Sequence, residues 1–328
     1  MELDEGYRFH VQFHITNQCN LRCKHCYESG KDNVVEWKLE EFKKAIDKLW
    51  SCFKKWGVEG EISLIGGEPT MAEDFIPMLE YLSRREDMAA ISVLTNGVKI
   101  SEDILRSLQK ANCYVQVSID GTDEKTHDYI RGKGTYKKTM DNVSMLNEKG
   151  LVTSAHYVLS KDTYPLKENF FDELLSKGIS RISFSRLVPI GNASKETMLS
   201  PRETEETYSF LAKMKKKYEP LGMHIGSTRP LWCNFGHSGK CPVGFQTITI
   251  TENGDIMPCR RLPIVIGNIK TDSFFKVWYT DAVLCQLRDR TSINKCGNCS
   301  MLNECGGGRC IAYAYYGDYM ERDPQCWL

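Results

Sequence analysis

The sequence has no charge excess of either sign, no long apolar run and no internal repeat or low-complexity linker. Its 43 Lys and Arg balance its 43 Asp and Glu, so no global field draws it to nucleic acid or to an anionic membrane surface. Basic positions such as Lys213, Lys215, Lys216 and Lys217 read as the solvated face of a helix. Nothing approaches the ~18 apolar residues of a membrane span. The start, MELDEGYRFHVQFHI, is acidic where a secretion signal is basic. These absences predict a cytoplasmic protein without nucleic-acid or membrane partners. A reducing cytoplasm in turn argues against a disulfide framework, so the 14 cysteines point to thiolates that hold metal or do chemistry.

A chain of 328 residues, 41% hydrophobic and 26% charged, suits one large globular domain plus a smaller one. From residue 9 to about 218, β-branched runs alternate with amphipathic ones. Expected strands are 9–16, 62–68, 91–97, 114–120, 153–160 and 181–189. Expected helices include 38–56, with Leu39, Phe42, Ile46, Leu49 and Phe53 at helical spacing, and 101–111, opening on the capping residue Ser101. This alternation implies a parallel sheet, doubly wound or an incomplete barrel, with chemistry at the C-terminal ends of its strands. Beyond about residue 220 helical periodicity fades and cysteine and glycine crowd together. There TITITENGDIMPC reads as a hairpin turning at Asn253-Gly254. The tail is expected to rely on inorganic chemistry more than on a core.

Directly after the first strand, Cys19, Cys23 and Cys26 stand in CNLRCKHC. Three thiols at that spacing fit an incomplete zinc site, a redox pair with a spectator, or a [4Fe–4S] cluster with one open iron. The stretch resembles the CxxxCxxC mark of the radical S-adenosylmethionine superfamily, with His25 where the family has an aromatic residue. Further segments resemble the family in the same order. GGEPT (Gly66, Gly67, Glu68 and onward) ends strand two, TNG (with Asn96) ends strand three, and SIDG (with Ser118) ends strand four. HDYIRGKGTY supplies Arg131, and RLVPIGNA supplies Leu187. The resemblance implies that these residues bind S-adenosylmethionine: the GGEPT stretch its amino group, Ser118 and Arg131 its ribose and carboxylate, and Leu187 its adenine.

The tail pattern, Cys241-x12-Gly254-x4-Cys259 followed by Cys296-x2-Cys299-x5-Cys305, Cys310 and Cys326, resembles the SPASM extension of that superfamily. Two auxiliary [4Fe–4S] clusters are implied, one on Cys233, Cys241, Cys259 and Cys310, the other on Cys296, Cys299, Cys305 and Cys326. The family spaces its glycine-flanked pair as C-x3-C, whereas CGGGRC puts four residues between Cys305 and Cys310. Paired zinc sites are the alternative reading of the C-x2-C pairs. Cys52 and Cys113 read as core residues, and Cys285 as a spare thiol.

The resemblance therefore implies an α/β fold, a partial (β/α)6 TIM barrel of radical SAM type at 1–219, followed by a small cysteine-rich SPASM domain at 220–328. It implies an oxidoreductase with three [4Fe–4S] clusters and S-adenosylmethionine, which cleaves that cofactor to a 5′-deoxyadenosyl radical. The expected substrate is a peptide or protein, foremost a ribosomally made peptide, with a separate leader-binding protein that presents it as a further expected partner. The expected electron donor is a flavodoxin or ferredoxin. Alternatives are a sulfatase-type formylglycine-generating oxidase, a tetrapyrrole decarboxylase, and a non-catalytic electron-transfer scaffold. His14, His156, Tyr157, Ser185 and Arg186 are positional candidates for the later steps, and the catalytic acid or base stays unassigned.

Overall fold

A computed structural model describes residues 8–28, 33–151, 153–236, 241–294 and 296–328. Parallel strands β1 (Arg8–Thr16), β2 (Glu59–Gly66), β3 (Met88–Thr95), β4 (Tyr114–Ser118), β5 (Thr153–Leu159) and β6 (Arg181–Arg186) lie side by side in chain order. Helices α1 (Leu39–Trp56), α2 (Phe75–Ser83), α3 (Glu102–Lys110), α4 (Glu124–Arg131), α5 (Thr135–Glu148), α6 (Asn169–Ser176) and α7 (Pro201–Tyr218) occupy the crossovers. The periodic face expected of the first helix is the buried one. Phe42, Ile46, Leu49 and Phe53 are all inside, and the helix stops at Gly57, whose left-handed φ of 67° returns its N–H to Lys54. Ser101 caps α3 by accepting from the Ile104 N–H at 3.3 Å.

The sheet is larger than the six expected strands. β7 (His224–Ser227) adds in parallel to β6, and β8 (Thr247–Ile250) adds in parallel to β1. The antiparallel β9 (Asp255–Met257) and β10 (Gly267–Asn268) extend the far edge, giving the order β10-β9-β8-β1-β2-β3-β4-β5-β6-β7. β7 is only four residues of weak pattern, too short for a period to declare itself. The hairpin at Asn253-Gly254 is present as β8 and β9, and every residue of its TITI strand is buried.

The tail therefore packs on the main core, contrary to the expectation that inorganic chemistry would dominate it. Ile248, Ile250, Ile256, Phe274 and Trp278 join the same apolar cluster as Phe9 and Phe53. Phe9 stacks on Phe53 at 4.7 Å and meets Trp278 edge-on at 4.8 Å, a contact geometry that adds to area burial. A large apolar side chain removed from water contributes about 1.5–3 kcal/mol, so this seam alone makes the tail an energetic part of the barrel.

Candidate functional site

β1 delivers the chain to the C-terminal mouth of the sheet, and the segment after it is fastened on two sides. On the first, Gly67 N–H donates to the Thr16 carbonyl at 2.8 Å and Glu68 N–H to the Gln18 carbonyl at 2.7 Å. The approach is so close that a Cβ on Gly66 would lie 2.2 Å from the Thr16 oxygen, and one on Gly67 2.4 Å from that of Gln18. Only glycine fits either position. Glu68 is buried and accepts from the Thr70 and Thr95 hydroxyls and the Asn96 N–H, each at 2.7 Å. Burial pushes its carboxyl above the usual range, while these hydrogen bonds oppose the shift. Asn96 then donates through Nδ2 to Asn20 Oδ1 at 2.8 Å, reaching into the cysteine loop itself.

The second side is built on Asp120, which the sequence reading passed over. It follows β4, is fully buried, and takes Arg131 Nε at 2.7 Å on the same oxygen that lies 2.6 Å from His25 Nε2. Its other oxygen accepts from the Val158 N–H at 2.8 Å. Burial alone would raise its pKa, but the Arg131 charge and then that of His25 hold the carboxylate far below its usual range. Its place in SIDG, two residues after Ser118, gives no local sign of the distant partners it takes. Asn192 completes the fastening, donating its N–H to the Cys26 carbonyl at 2.9 Å and its amide to that of Cys23 at 3.1 Å.

Between these walls lies a cavity of about 500 Å³, within the ~300–1,000 Å³ typical of small-molecule sites. Cys19, Cys23 and Cys26 line it together with His25, Gly66, Gly67, Asn96, Ser118, Arg131 and Leu187. Glu68 does not line it, its oxygens being spent on Thr70, Thr95 and Asn96. Burial pushes the Cys19 thiol up to about 11 and raises Cys23 and Cys26 as well. Three such thiols on one wall, beside the Arg131 guanidinium, are a donor set suited to a thiophilic metal cluster that needs them deprotonated. Of the positional candidates, His156, Ser185 and Arg186 also line the cavity. Tyr157 points into the core against Phe170 and Phe184, at 5.4 and 5.3 Å. His14 is buried beside Glu28 and Glu252, with ligand atoms within 4.8 Å of one another.

In the tail, Gly306, Gly307 and Gly308 all take left-handed φ, 65°, 70° and 54°. That run re-aims the chain so that Cys310 neighbours Cys241 and Cys259 electrostatically, despite the lengthened spacing. Cys296 has Cys299, Cys305 and Cys326 as neighbours. The Cys233 side chain is hydrogen-bonded to Cys305, a member of the other expected set. Cys52 and Cys113 are buried and Cys285 is exposed.

A parallel α/β sheet with three half-buried thiols gathered at its mouth, and a cysteine-rich tail stitched to its first strand, defines a cluster-binding oxidoreductase. Residues 13–174 match the radical SAM superfamily and residues 241–300 the SPASM iron–sulfur cluster-binding domain, and the chain belongs to that superfamily. It is 27% identical to the AdoMet-dependent heme synthase of Methanosarcina barkeri, over 96% of this chain and 95% of that one. It is 26% identical to the mycofactocin maturase MftC of Mycobacterium ulcerans, over 96% and 87%. Its fold is that of Streptococcus suis SuiB bound to S-adenosylmethionine, with a TM-score of 0.80 at 19% identity over 98% and 78%. Among the described residues no helix is long and apolar enough to cross a membrane.

Proposed function

We propose that this radical SAM/SPASM enzyme cleaves S-adenosylmethionine reductively at the Cys19–Cys23–Cys26 site and abstracts hydrogen from a peptide, foremost one made on the ribosome. The observation that carries this reading is the convergence of three thiols with Gly66, Gly67, Asn96, Ser118 and Arg131 on one cavity. An electron carrier has no use for such a pocket. When bound, the cluster and S-adenosylmethionine supply an electron and a 5′-deoxyadenosyl radical.

The chain's own part is to hold and exclude. Cys19, Cys23 and Cys26 would hold the cluster as thiolates, and a cluster with three protein ligands would have a site for the cofactor. Asn96 and Ser118 offer hydrogen bonds, Leu187 an apolar wall, and Arg131, already ion-paired with Asp120, a fixed cation. His25 is tied to the same carboxylate, so the segment between Cys23 and Cys26 cannot swing. Glu68 positions Asn96. Enclosure by the sheet keeps water from a reactive intermediate. In the tail, Cys241, Cys259 and Cys310 would serve one auxiliary cluster, with Cys233 its fourth expected ligand, and Cys296, Cys299, Cys305 and Cys326 would serve the other, which would make three clusters in all. The domain division at 219/220 assigns β7 and β8 to the tail by sequence although both extend the barrel sheet.

Support for a peptide substrate comes from the likeness in fold to Streptococcus suis SuiB, solved with the precursor peptide SuiA bound. The haem-synthase relative, similar over nearly its whole length, favours a second reading, a tetrapyrrole substrate. Anaerobically reconstituted protein with dithionite and S-adenosylmethionine should form 5′-deoxyadenosine. Replacing Cys19, Cys23 and Cys26 by Ala should abolish it, whereas replacing Cys296 and Cys299 should spare part of it. No 5′-deoxyadenosine from the fully iron-loaded wild type would sink the proposal.

A further inference from the structure

Among the described residues, six charged side chains line the cavity: Arg22, Arg131, Arg186, Arg260, Arg261 and Glu28. Among those residues, five guanidiniums against one carboxylate are a local bias in a chain of zero net charge. Most of the five are committed. Arg131 is ion-paired with Asp120 and Arg186 with Asp323, each at 2.6 Å. Arg22 donates to the Cys19 and Leu21 carbonyls at 2.8 and 2.9 Å. Arg261 sits among the Cys310, Cys259 and Cys241 sulfurs.

Arg260 is different. Among the described residues no carboxylate oxygen lies within 4 Å of its guanidinium, which is 6.0 Å from the Tyr27 ring centroid. It is half-buried, and its charge is felt by His10 and His156, on the inward faces of β1 and β5. It therefore faces the cavity that the three cysteines line, near Tyr27, the residue after Cys26. A guanidinium keeps its charge at any working pH and binds carboxylates through two parallel hydrogen bonds. A half-buried guanidinium with no carboxylate partner among the described residues gains by pairing with an incoming anion.

Taking the cavity as the substrate-bearing site proposed above, we infer that Arg260, flanked by Arg261, is a specificity residue that docks a carboxylate of the substrate inside the barrel. Two sources carry that chemistry: the C-terminal carboxylate of a peptide, and the propionate side chains of a tetrapyrrole. In both, the anchored carboxylate fixes which carbon of the substrate faces the cysteine wall.

The test is equilibrium binding to the anaerobic, cluster-loaded, S-adenosylmethionine-bound enzyme. One arm uses iron coproporphyrin III and its tetra-amide, followed by the porphyrin absorbance. The other uses mixed-sequence hexapeptides as free acids and as C-terminal amides, followed by equilibrium dialysis. In at least one arm the acid should bind tenfold or more tighter than the amide. Arg260→Gln should erase that difference, and Arg260→Lys should restore part of it. Iron content and cluster absorbance at wild-type level establish that each variant is folded.

The arm that responds names the source. Equal binding of acid and amide in both arms, absence of binding in both, or an undiminished acid preference in Arg260→Gln overturns the inference. Wild-type 5′-deoxyadenosine formation, read separately, tests the functional proposal. Acid-selective binding without that product would sink the proposal and leave carboxylate recognition standing.

Discussion

Asp120 is the residue on which most of the site's geometry converges, since it fixes both Arg131 and His25 from a fully buried position. Asp120→Asn keeps the size and the contact with Val158 but removes the charge. Loss of a partner one shell behind the ligands typically costs 10–100-fold, so 5′-deoxyadenosine formation should fall by about that range. Wild-type rates in the variant would show that the Arg131–Asp120 pair is incidental. His127, buried behind Asp120 and accepting its N–H at Nδ1, is held neutral: burial first, then Arg131, pushes it down to about 4. The unfolded chain protonates it near ~6.5. Stability from this group is therefore fully present above ~6.5 and is lost as pH falls toward 4. Denaturant midpoints should report ~2 kcal/mol less stability at about pH 5 than at about pH 8, and His127→Asn should flatten that slope. An identical slope in the variant would refute the assignment. At this scale the cysteines, Gly66, Gly67, Ser118 and Arg131 were legible because each stands in a spaced motif. Asp120 was not, because its importance lies in partners 11 and 95 positions away.

The elements divide by whether their cues are local. α1 and α3 announce themselves through period and cap, whereas β7 has four residues and no period, and the pairing of β8 with β1 joins segments more than 230 residues apart. Such long-range pairing leaves no local trace beyond the alternation of TITI. The same limit hid the role of Arg186. Read as a candidate for the reaction, it is found with Asp323 at 2.6 Å and Gln325 at 3.1 Å, fully buried, which ties the end of β6 to the last turn of the tail. Removing one partner of a buried pair strands the other's charge, at about 3–5 kcal/mol. Asp323→Ala should accordingly lower the denaturation midpoint sharply and, by loosening the segment carrying Cys326, reduce iron content. A variant with wild-type midpoint and iron would show that the tail is docked by apolar contacts such as Phe9–Trp278 alone.

For the molecule as a whole, the sheet joins the motifs at one mouth, and that was foreseeable from β/α alternation with residues of interest at strand ends. What alternation could not foresee is that the tail completes the sheet and supplies Arg260 and Arg261 to the same cavity. Relatives with haem-synthase and maturase names are similarly distant, 27% and 26% identical, so chemistry inside that cavity, more than ancestry, distinguishes the substrates. The proposed function stands on S-adenosylmethionine binding at the Cys19–Cys23–Cys26 site. Electron paramagnetic resonance of the dithionite-reduced protein, with and without S-adenosylmethionine, tests it most directly. The expected result is a cluster signal that shifts when S-adenosylmethionine is added and is missing from the Cys19, Cys23 and Cys26 to Ala variant, whose tail signals persist. A cofactor-dependent shift that survives in that variant would contradict it.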